Sequence, residues 1–316
     1  MKTKKTKTDK AWVVYVLRCV DNSLYTGITN NIEKRLAAHN QGTAAKYTRS
    51  RNPVVLSAQS RLLSRTEAMR LEIKIKRMPK EKKIAIFDID GTIFRKNLQF
   101  ELINELSWMN IFPRKVRDQI VTLYTNWLEH EGTYEQYRQG LVDLYEKYIS
   151  GCKLQDVQRA SRTVAAFHQK RTYIFAEQLI AKLRSDGYHL IAISGSPVEI
   201  VREFNRSHLQ FDAVFGSVYK YDDKGIYTGE SVYEPVKNKG TLLKQYVYEH
   251  NLTLEGSYGM GDTESDASFL ALVENPIAFN PNDNLKKVAQ EKGWKIVVEK
   301  KDVIYDMTQC INANMV

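Results

Sequence analysis

Between residues 84 and 279, five short apolar runs (84–87, 189–193, 211–215, 257–260 and 276–279) alternate with stretches of helical periodicity. Short, wholly apolar runs separated by helix-length segments are the pattern of strands buried on both faces of a parallel α/β sheet. The first two runs are separated by about 95 residues of helical period, far more than a crossover helix needs. Part of this insert, at about residues 97–175, is therefore expected to form a helical cap over the carboxyl edge of the sheet.

A chain of 316 residues exceeds what one core usually serves, so a second domain is expected ahead of this one. Residues 12–17 and 24–28, joined by Asp21-Asn22-Ser23, read as a β-hairpin. A helix over 31–40 follows, capped by Asn30 or Asn31, then a basic loop and a third strand over 53–58. Ser64 and Glu67 make an S-x-x-E box opening a second helix, whose apolar stripe is Ala68, Leu71, Ile75 and Met78. The expected organisation is a basic tail at 1–10, a small α+β domain at 11–80, a short linker, and the α/β domain at 83–316.

Charge separates the two parts. Residues 1–82 hold 19 Lys/Arg against 6 Asp/Glu, a net of +13, whereas residues 83–316 hold 28 against 31, a net of −3. A basic front on a slightly acidic remainder points to a polyanion partner for the front alone, nucleic acid with DNA as the expected form. Cys19, Cys152 and Cys310 are scattered and form no C-x-x-C pair, which suits reduced thiols in a cytoplasmic protein. No apolar stretch approaches the roughly 20 residues that span a bilayer, so no membrane partner is expected.

Ligands of open α/β sheets bind beyond the carboxyl ends of the strands. There the first run delivers Asp88-Ile89-Asp90-Gly91-Thr92, the second Ser194-Gly195-Ser196 and the fourth Gly261-Asp262-Thr263-Glu264-Ser265-Asp266, while Lys239 sits in Asn238-Lys239-Gly240. Two carboxylates bracketing Ile89 can divide nucleophile and acid/base roles. Ser194 and the Gly195 amide suit phosphate oxygens, Lys239 is a fixed cation, and the 262–266 carboxylates suit a hard cation such as magnesium. Taken singly these are weak signals; a lone D-x-D is most often a turn. Their order at successive strand ends resembles the haloacid dehalogenase-like phosphatases, and the large insert looks like the cap of the branch containing phosphoserine phosphatase. The resemblance implies a Rossmann-like domain working on a phosphomonoester. Asp88 would be the nucleophile and Asp90 the general acid/base, with Mg²⁺ held by Asp88, the Asp90 carbonyl and Asp262. Ser194, Gly195 and Lys239 would lie on the phosphate, and Asp266 would support the metal or the lysine. Where phosphoserine phosphatases typically carry D-x-D-S-T with acidic residues after it, this chain has Gly91 and then Arg95-Lys96. Those cations are expected at the cleft rim, turning away a substrate ammonium.

The front domain places Tyr15 and Tyr25 on its hairpin, Arg35 and His39 four apart on one helical face, and Glu72 on the next helix. Phosphodiester cleavage needs a base for water, a cation for developing charge and a metal ligand, which these residue types supply. Each also has a simpler explanation: core or rim packing for the tyrosines, the surface for His39, an i,i+4 pair with Lys76 for Glu72. Together, with Val14-Tyr15-Val16 and Tyr25-Thr26-Gly27 standing for the signature triplets, they resemble the GIY-YIG nuclease domain in its small bacterial form. That resemblance implies Tyr25 or Tyr15 at the nucleophilic water, Arg35 and His39 at the phosphate and leaving group, and Glu72 on Mg²⁺ or Mn²⁺. The reading is a fused nuclease and phosphatase; the alternative is a phosphatase localised by a nucleic-acid-binding front domain that does not cut.

Overall fold

The computed structural model describes residues 10–21, 23–77 and 82–307, and the chain divides into two compact units, residues 1–80 and 81–316. Residues 1–9 of the expected tail, Met78, residues 79–81 of the expected linker, and Cys310 lie outside the described residues. Lys10, grouped with the tail, opens the first strand.

In the first unit β1 (Lys10–Arg18) is the hub, pairing antiparallel with β2 (Leu24–Thr29), β3 (Val55–Gln59) and β4 (Leu63–Ser64). Strand alternation sends Tyr15, Leu17 and Cys19 to one face, with Val54, Ile32 and Leu36, and sends Val14 to the other, against Leu63 and Ala68. Three helices complete the unit: α1 (Ile32–Asn40), α2 (Lys46–Arg49) and α3 (Arg65–Arg77). Asn31 caps α1 by accepting the Lys34 N–H at 2.9 Å. Glu67 Oε2 accepts from the Ser64 N–H at 2.8 Å, and the Glu67 N–H returns to Ser64 Oγ at 3.3 Å, the reciprocal box that opens α3. α2 occupies the stretch read as a basic loop; four residues are too few to show a helical period.

The second unit is built on β5 (Lys82–Phe87), β6 (His189–Pro197), β7 (Ala213–Tyr221), β8 (Tyr227–Tyr233), β9 (Leu252–Gly261), β10 (Asn275–Phe279), β11 (Lys295–Lys300) and β12 (Val303–Asp306). They form one sheet in the order β12-β11-β10-β9-β5-β6-β7-β8. The strands from β11 to β7 run parallel, but β12 and β8 join the two edges antiparallel. The five runs read from the sequence as a parallel sheet correspond to β5, β6, β7, β9 and β10, all of which run parallel, and β8, β11 and β12 extend that sheet. Every residue of β12 is exposed and β8 is mostly so, so neither carries the apolar run that marks a buried strand. On β5, Ala85 and Phe87 enter one core while Ile84 and Ile86 enter another, so both faces are covered. Burying each large apolar side chain contributes about 1.5–3 kcal/mol.

Helices α4 (Leu98–Trp108), α5 (Lys115–Leu128), α6 (Tyr134–Ile149) and α7 (Leu154–His168) fill the insert, and α8 (Ile174–Ser185) leads back to β6. The remaining helices are α9 (Val198–Phe204), α10 (Lys239–Glu249), α11 (Ala267–Leu270) and α12 (Asp283–Lys292). Asn97 caps α4 by accepting the Phe100 N–H at 2.9 Å, and a Thr133/Gln136 capping box opens α6. These two starts position the insert's contribution to the site. Among the described residues no helix is long and apolar enough to cross a membrane.

Candidate active sites

β5 ends at Phe87, Asp88 follows it, and the chain turns at Gly91 with φ +84°. A Cβ on Gly91 would meet the Asp262 carboxylate, so glycine permits both the left-handed turn and the close approach of the loop after β9. Lys239, the first residue of α10 and 1% exposed, donates from Nζ to Asp88 Oδ1 at 2.7 Å and to Asp266 Oδ1 at 2.6 Å. The other Asp266 oxygen accepts the backbone N–H groups of Asp262 and Thr263, each at 3.0 Å. Asp266 thus clamps the lysine to the loop. Thr92 Oγ1 donates to Asp262 Oδ1 at 3.2 Å. Carboxylate oxygens of Asp88, Asp262 and Asp266 lie within 4.8 Å of one another, a donor set that fits a hard divalent cation. Both Asp266 oxygens are already engaged, which leaves Asp88 and Asp262 as the better-placed ligands.

Asp90 turns toward β6. It accepts the Leu98 N–H at 2.6 Å, Ser194 Oγ at 2.7 Å and Ser196 Oγ at 2.9 Å. Ser194, expected on the phosphate, is fully buried and gives its hydroxyl to Asp90; Gly195 and Ser196 line the cavity instead. That cavity, about 40 Å³, is floored by Asp88, Asp90, Lys239 and Asp262, and α6 adds Tyr134 and Arg138. The sequence reading missed Ser196, Tyr134 and Arg138. Ser196 was visible in Ser194-Gly195-Ser196, but nothing local marks Tyr134 or Arg138 beyond the capping box that begins their helix.

Burial dominates the electrostatics. It pushes Asp88 up to about 8, with Asp266 and Asp90 adding to the rise and Lys239 opposing it. Asp90 is raised by burial against the pull of its Leu98, Ser194 and Ser196 donors. Asp262 is held well above the ordinary carboxylate range by burial and by Asp88. For Lys239 burial works against the charge, but Asp266 and Asp88 outweigh it and raise the ammonium above its usual value.

Arg95 and Lys96 stand in the wall of a larger cavity beside the acidic one, and each has a carboxylate partner within the protein. Arg95 donates to Thr172 O at 2.8 Å and pairs with the buried Glu299, and its guanidinium lies 4.6 Å over the Tyr173 ring. Lys96 Nζ pairs with Glu101 at 2.5 Å. Both cations are paired with protein carboxylates, and the Arg95 pair ties the start of the insert to β11, so neither is a bare charge.

In the first unit Tyr15 and Gly27 are paired across the hairpin, and a Cβ on Gly27 would stand 2.6 Å from the Tyr15 hydroxyl. That hydroxyl lies 2.9 Å from His39 Nε2 and accepts from Arg35 Nε at 3.0 Å. His39 is fully buried, not on the surface, because Nδ1 also meets Thr48 Oγ1 at 2.7 Å. Thr48 donates its one hydroxyl proton to Ala45 O at 3.2 Å, so it accepts from His39 Nδ1–H, and Nε2 is left to accept from Tyr15. Burial and Arg35 lower His39, keeping it neutral in this chain. Tyr15 is raised by burial, offset in part by Arg35. The Tyr25 ring is 4.9 Å from His39. Glu72 bonds Lys76 at 2.7 Å, and that ammonium stands 5.9 Å over the Tyr25 ring. Tyr15, Tyr25, Arg35 and His39 therefore share one cluster; Glu72 is linked to it through Lys76 and through its charge on Tyr15.

Comparison with known proteins follows the same division. The GIY-YIG catalytic domain family matches residues 11–85. A UPF0213 protein of Nitratidesulfovibrio vulgaris is 49% identical over 89 residues, 28% of this chain and 81% of that protein. One of Staphylococcus haemolyticus is 49% identical over 75 residues, covering 24% and 92%. For the second unit, a solved protein of unknown function from Bordetella pertussis Tohama I superimposes with a TM-score of 0.56 at 20% identity, over 69% of this chain and 98% of that one. A substrate-bound phosphoserine phosphatase does so with a TM-score of 0.50 at 22% identity, over 71% and 96%. The haloacid dehalogenase-like hydrolase family matches residues 85–271, well over half of the chain. Behind a GIY-YIG domain of UPF0213 type, this chain belongs to the haloacid dehalogenase-like hydrolases.

Proposed function

We propose that residues 82–307 form a magnesium-dependent phosphomonoester phosphatase acting through an aspartyl-phosphate, and that the front domain cleaves nucleic acid. The observation that carries the first part is the pair of carboxylates at the end of β5, Asp88 held by Lys239 and Asp90 held by Ser194 and Ser196. An Asp88 oxygen attacks phosphorus as the ester P–O bond breaks, and the departing alkoxide takes its proton from Asp90. Burial raises Asp90 above its ordinary value, the direction a general acid needs. Water then attacks the aspartyl-phosphate and gives its proton to Asp90, releasing phosphate and restoring Asp88. Lys239 and the Gly195 backbone balance charge on the transferring group. Bound Mg²⁺ would be held by Asp88, Asp262 and the Asp90 carbonyl, and would supply the positive charge that keeps two crowded carboxylates ionised beside a phosphate. Release of phosphate from p-nitrophenyl phosphate with Mg²⁺, lost on chelation, tests this reading; turnover undiminished by chelator overturns its metal part.

In the front domain the Tyr15 hydroxyl donates to neutral His39 Nε2 and accepts from Arg35 Nε, and Tyr25 lies against the His39 ring. The cluster thus offers Tyr25 or Tyr15 for the nucleophilic water and the Arg35 cation for developing phosphate charge. A second reading, a binding module that does not cut, draws on the pairing of Glu72 with Lys76, which occupies a carboxylate oxygen the metal would need. Supercoiled plasmid with Mg²⁺ or Mn²⁺ separates the two: a nuclease relaxes it, whereas a binder only retards it. Binding should weaken steeply with salt, since each neutralised phosphate adds about −0.9 to the slope of log K against log salt.

A further inference from the structure

Beside the acidic cavity lies a second one of about 510 Å³, and the two share Asn97, Tyr134, Asp262 and Thr263 in their walls. The two cavities are therefore neighbours, with Tyr134 in the wall of both. The small one has room for little more than a phosphate group, while the larger is in the range that takes a drug-sized organic molecule. Six rings line the larger cavity: Phe100, Tyr124, Trp127, Tyr134 and Tyr137 from the insert, and Tyr173 from the segment leading back to the sheet. The Trp127 and Tyr137 rings lie parallel at 5.5 Å, and Tyr134 and Tyr124 meet Trp127 edge-on at 5.4 Å and 5.7 Å.

Apart from Asp262, which is left to the metal, the charged groups in these walls are already matched within the protein. Arg95 pairs with Glu299, Lys96 with Glu101, and the second Glu101 oxygen lies 3.2 Å from His168 Nε2. Asn280 Oδ1 accepts the Glu299 N–H at 2.8 Å, and the Asn282 side-chain amide donates to Glu264. A zwitterionic amino acid would have to leave water for this enclosure with neither of its charges answered, which is costly. A neutral ring loses little and gains stacked and edge-on contacts.

Resting on the phosphatase reading, we propose that this pocket receives the alcohol half of the substrate, and that this half is neutral and carries a planar aromatic ring, the chemistry of a nucleoside. The ring enters against Trp127 and Tyr137 while the phosphate passes Tyr134 to reach Asp88. Such a group is offered by a free nucleoside monophosphate and by the phosphorylated end of a nucleic-acid strand.

The experiment compares kcat/KM for phosphate release from nucleoside 5′- and 3′-monophosphates, ribose 5-phosphate, phosphoserine, p-nitrophenyl phosphate and end-phosphorylated oligonucleotides. Ribose 5-phosphate presents the same ester without the ring. At least one nucleotide should exceed both ribose 5-phosphate and phosphoserine by about tenfold or more, the worth of one stacked base. A higher value for the oligonucleotide identifies a strand end as the source; a higher value for the mononucleotide identifies the free metabolite. In Trp127→Leu the ratio of nucleotide to ribose 5-phosphate should fall about tenfold, and Trp127→Phe should retain most of it. Misfolding would depress both substrates together and leave the ratio in place. If p-nitrophenyl phosphate is hydrolysed but nucleotides are no faster than ribose 5-phosphate, or if Trp127→Leu leaves the ratio unchanged, the pocket inference is overturned and the phosphatase reading stands. If no ester is hydrolysed, the phosphatase reading falls and the inference with it.

Discussion

Lys239 Nζ lies 2.7 Å from Asp88 Oδ1 and 2.6 Å from Asp266 Oδ1, so one buried ammonium joins the ends of β5 and β9 through α10. Removing it strands two carboxylates in the core. Lys239→Met should therefore cost about 3–5 kcal/mol of stability and abolish turnover together. Lys239→Arg should not rescue, because a planar guanidinium cannot replace a compact ammonium between two carboxylates. Denaturant titration beside phosphate release checks both; a variant as stable as the parent would show that the pair contributes little.

Asp88→Asn separates chemistry from stability at the same spot. The amide oxygen can still accept from Lys239, so the fold should survive, but an amide does not attack phosphorus. Turnover of p-nitrophenyl phosphate should fall at least about 10³-fold, on the order of 4 kcal/mol in the barrier. Retention of more than about a tenth of the parent rate would remove Asp88 as nucleophile.

Arg95 has a structural consequence where the sequence suggested selectivity. Glu299, whose side chain is fully buried, also accepts the Ile174 and Phe175 N–H groups at the start of α8, at 3.1 Å and 2.9 Å. Arg95→Ala should cost about 1–3 kcal/mol, less than a bare buried charge because those two donors remain. It should leave the ratio of phosphoserine to other substrates unchanged. A changed ratio at unchanged stability would return Arg95 to the specificity role.

Legibility in the sequence followed chain locality. The motif 88–92, the 194–196 turn, Lys239 and the 262–266 loop each carry their chemistry within a few residues, and strand ends bring them together. Tyr134, Trp127 and Tyr137 carry none: their roles arise from how α5 and α6 pack over the sheet, and an aromatic on an amphipathic helix reads as core. β8 and β12 were invisible because exposed strands lack an apolar run. The partner of Arg95 was unreadable for a related reason, since Glu299 is far away in the chain and sequence spacing cannot show a partner brought in by β11.

His39 makes the front domain sensitive to acid. Its value is lowered by burial and Arg35 from an ordinary 6.5, and its neutral form is the one that accepts from Tyr15 and donates to Thr48. An unfolded chain takes up the proton near 6.5 while the folded one resists, so the stabilisation is fully present above that pH and is lost as pH falls below it. Protection factors of the β1 amides, which discount the intrinsic slowing of exchange in acid, should fall below pH 6.5 in the parent, and this fall should be absent in His39→Gln. The same fall in both would assign the effect to another group.

Glu72→Gln is the cleanest test of whether the front domain cuts. Glu72 pairs with Lys76 one helical turn away, and that ammonium is half exposed, so the pair is worth only about 0.3–0.5 kcal/mol and its loss should barely move the melting transition. Binding to nucleic acid should hold or rise slightly, because the change removes a negative charge from a basic surface. Plasmid relaxation should vanish all the same if Glu72 leaves Lys76 to take a metal, since glutamine keeps the shape but not the charge a hard cation requires. Phosphate release by the same preparation reports that the chain is intact. Relaxation at the parent rate would make Glu72 a surface helix pair and leave the Tyr15, Arg35 and His39 cluster without a metal ligand on α3. Failure of the parent itself to relax plasmid, with retardation retained, would establish the binding module.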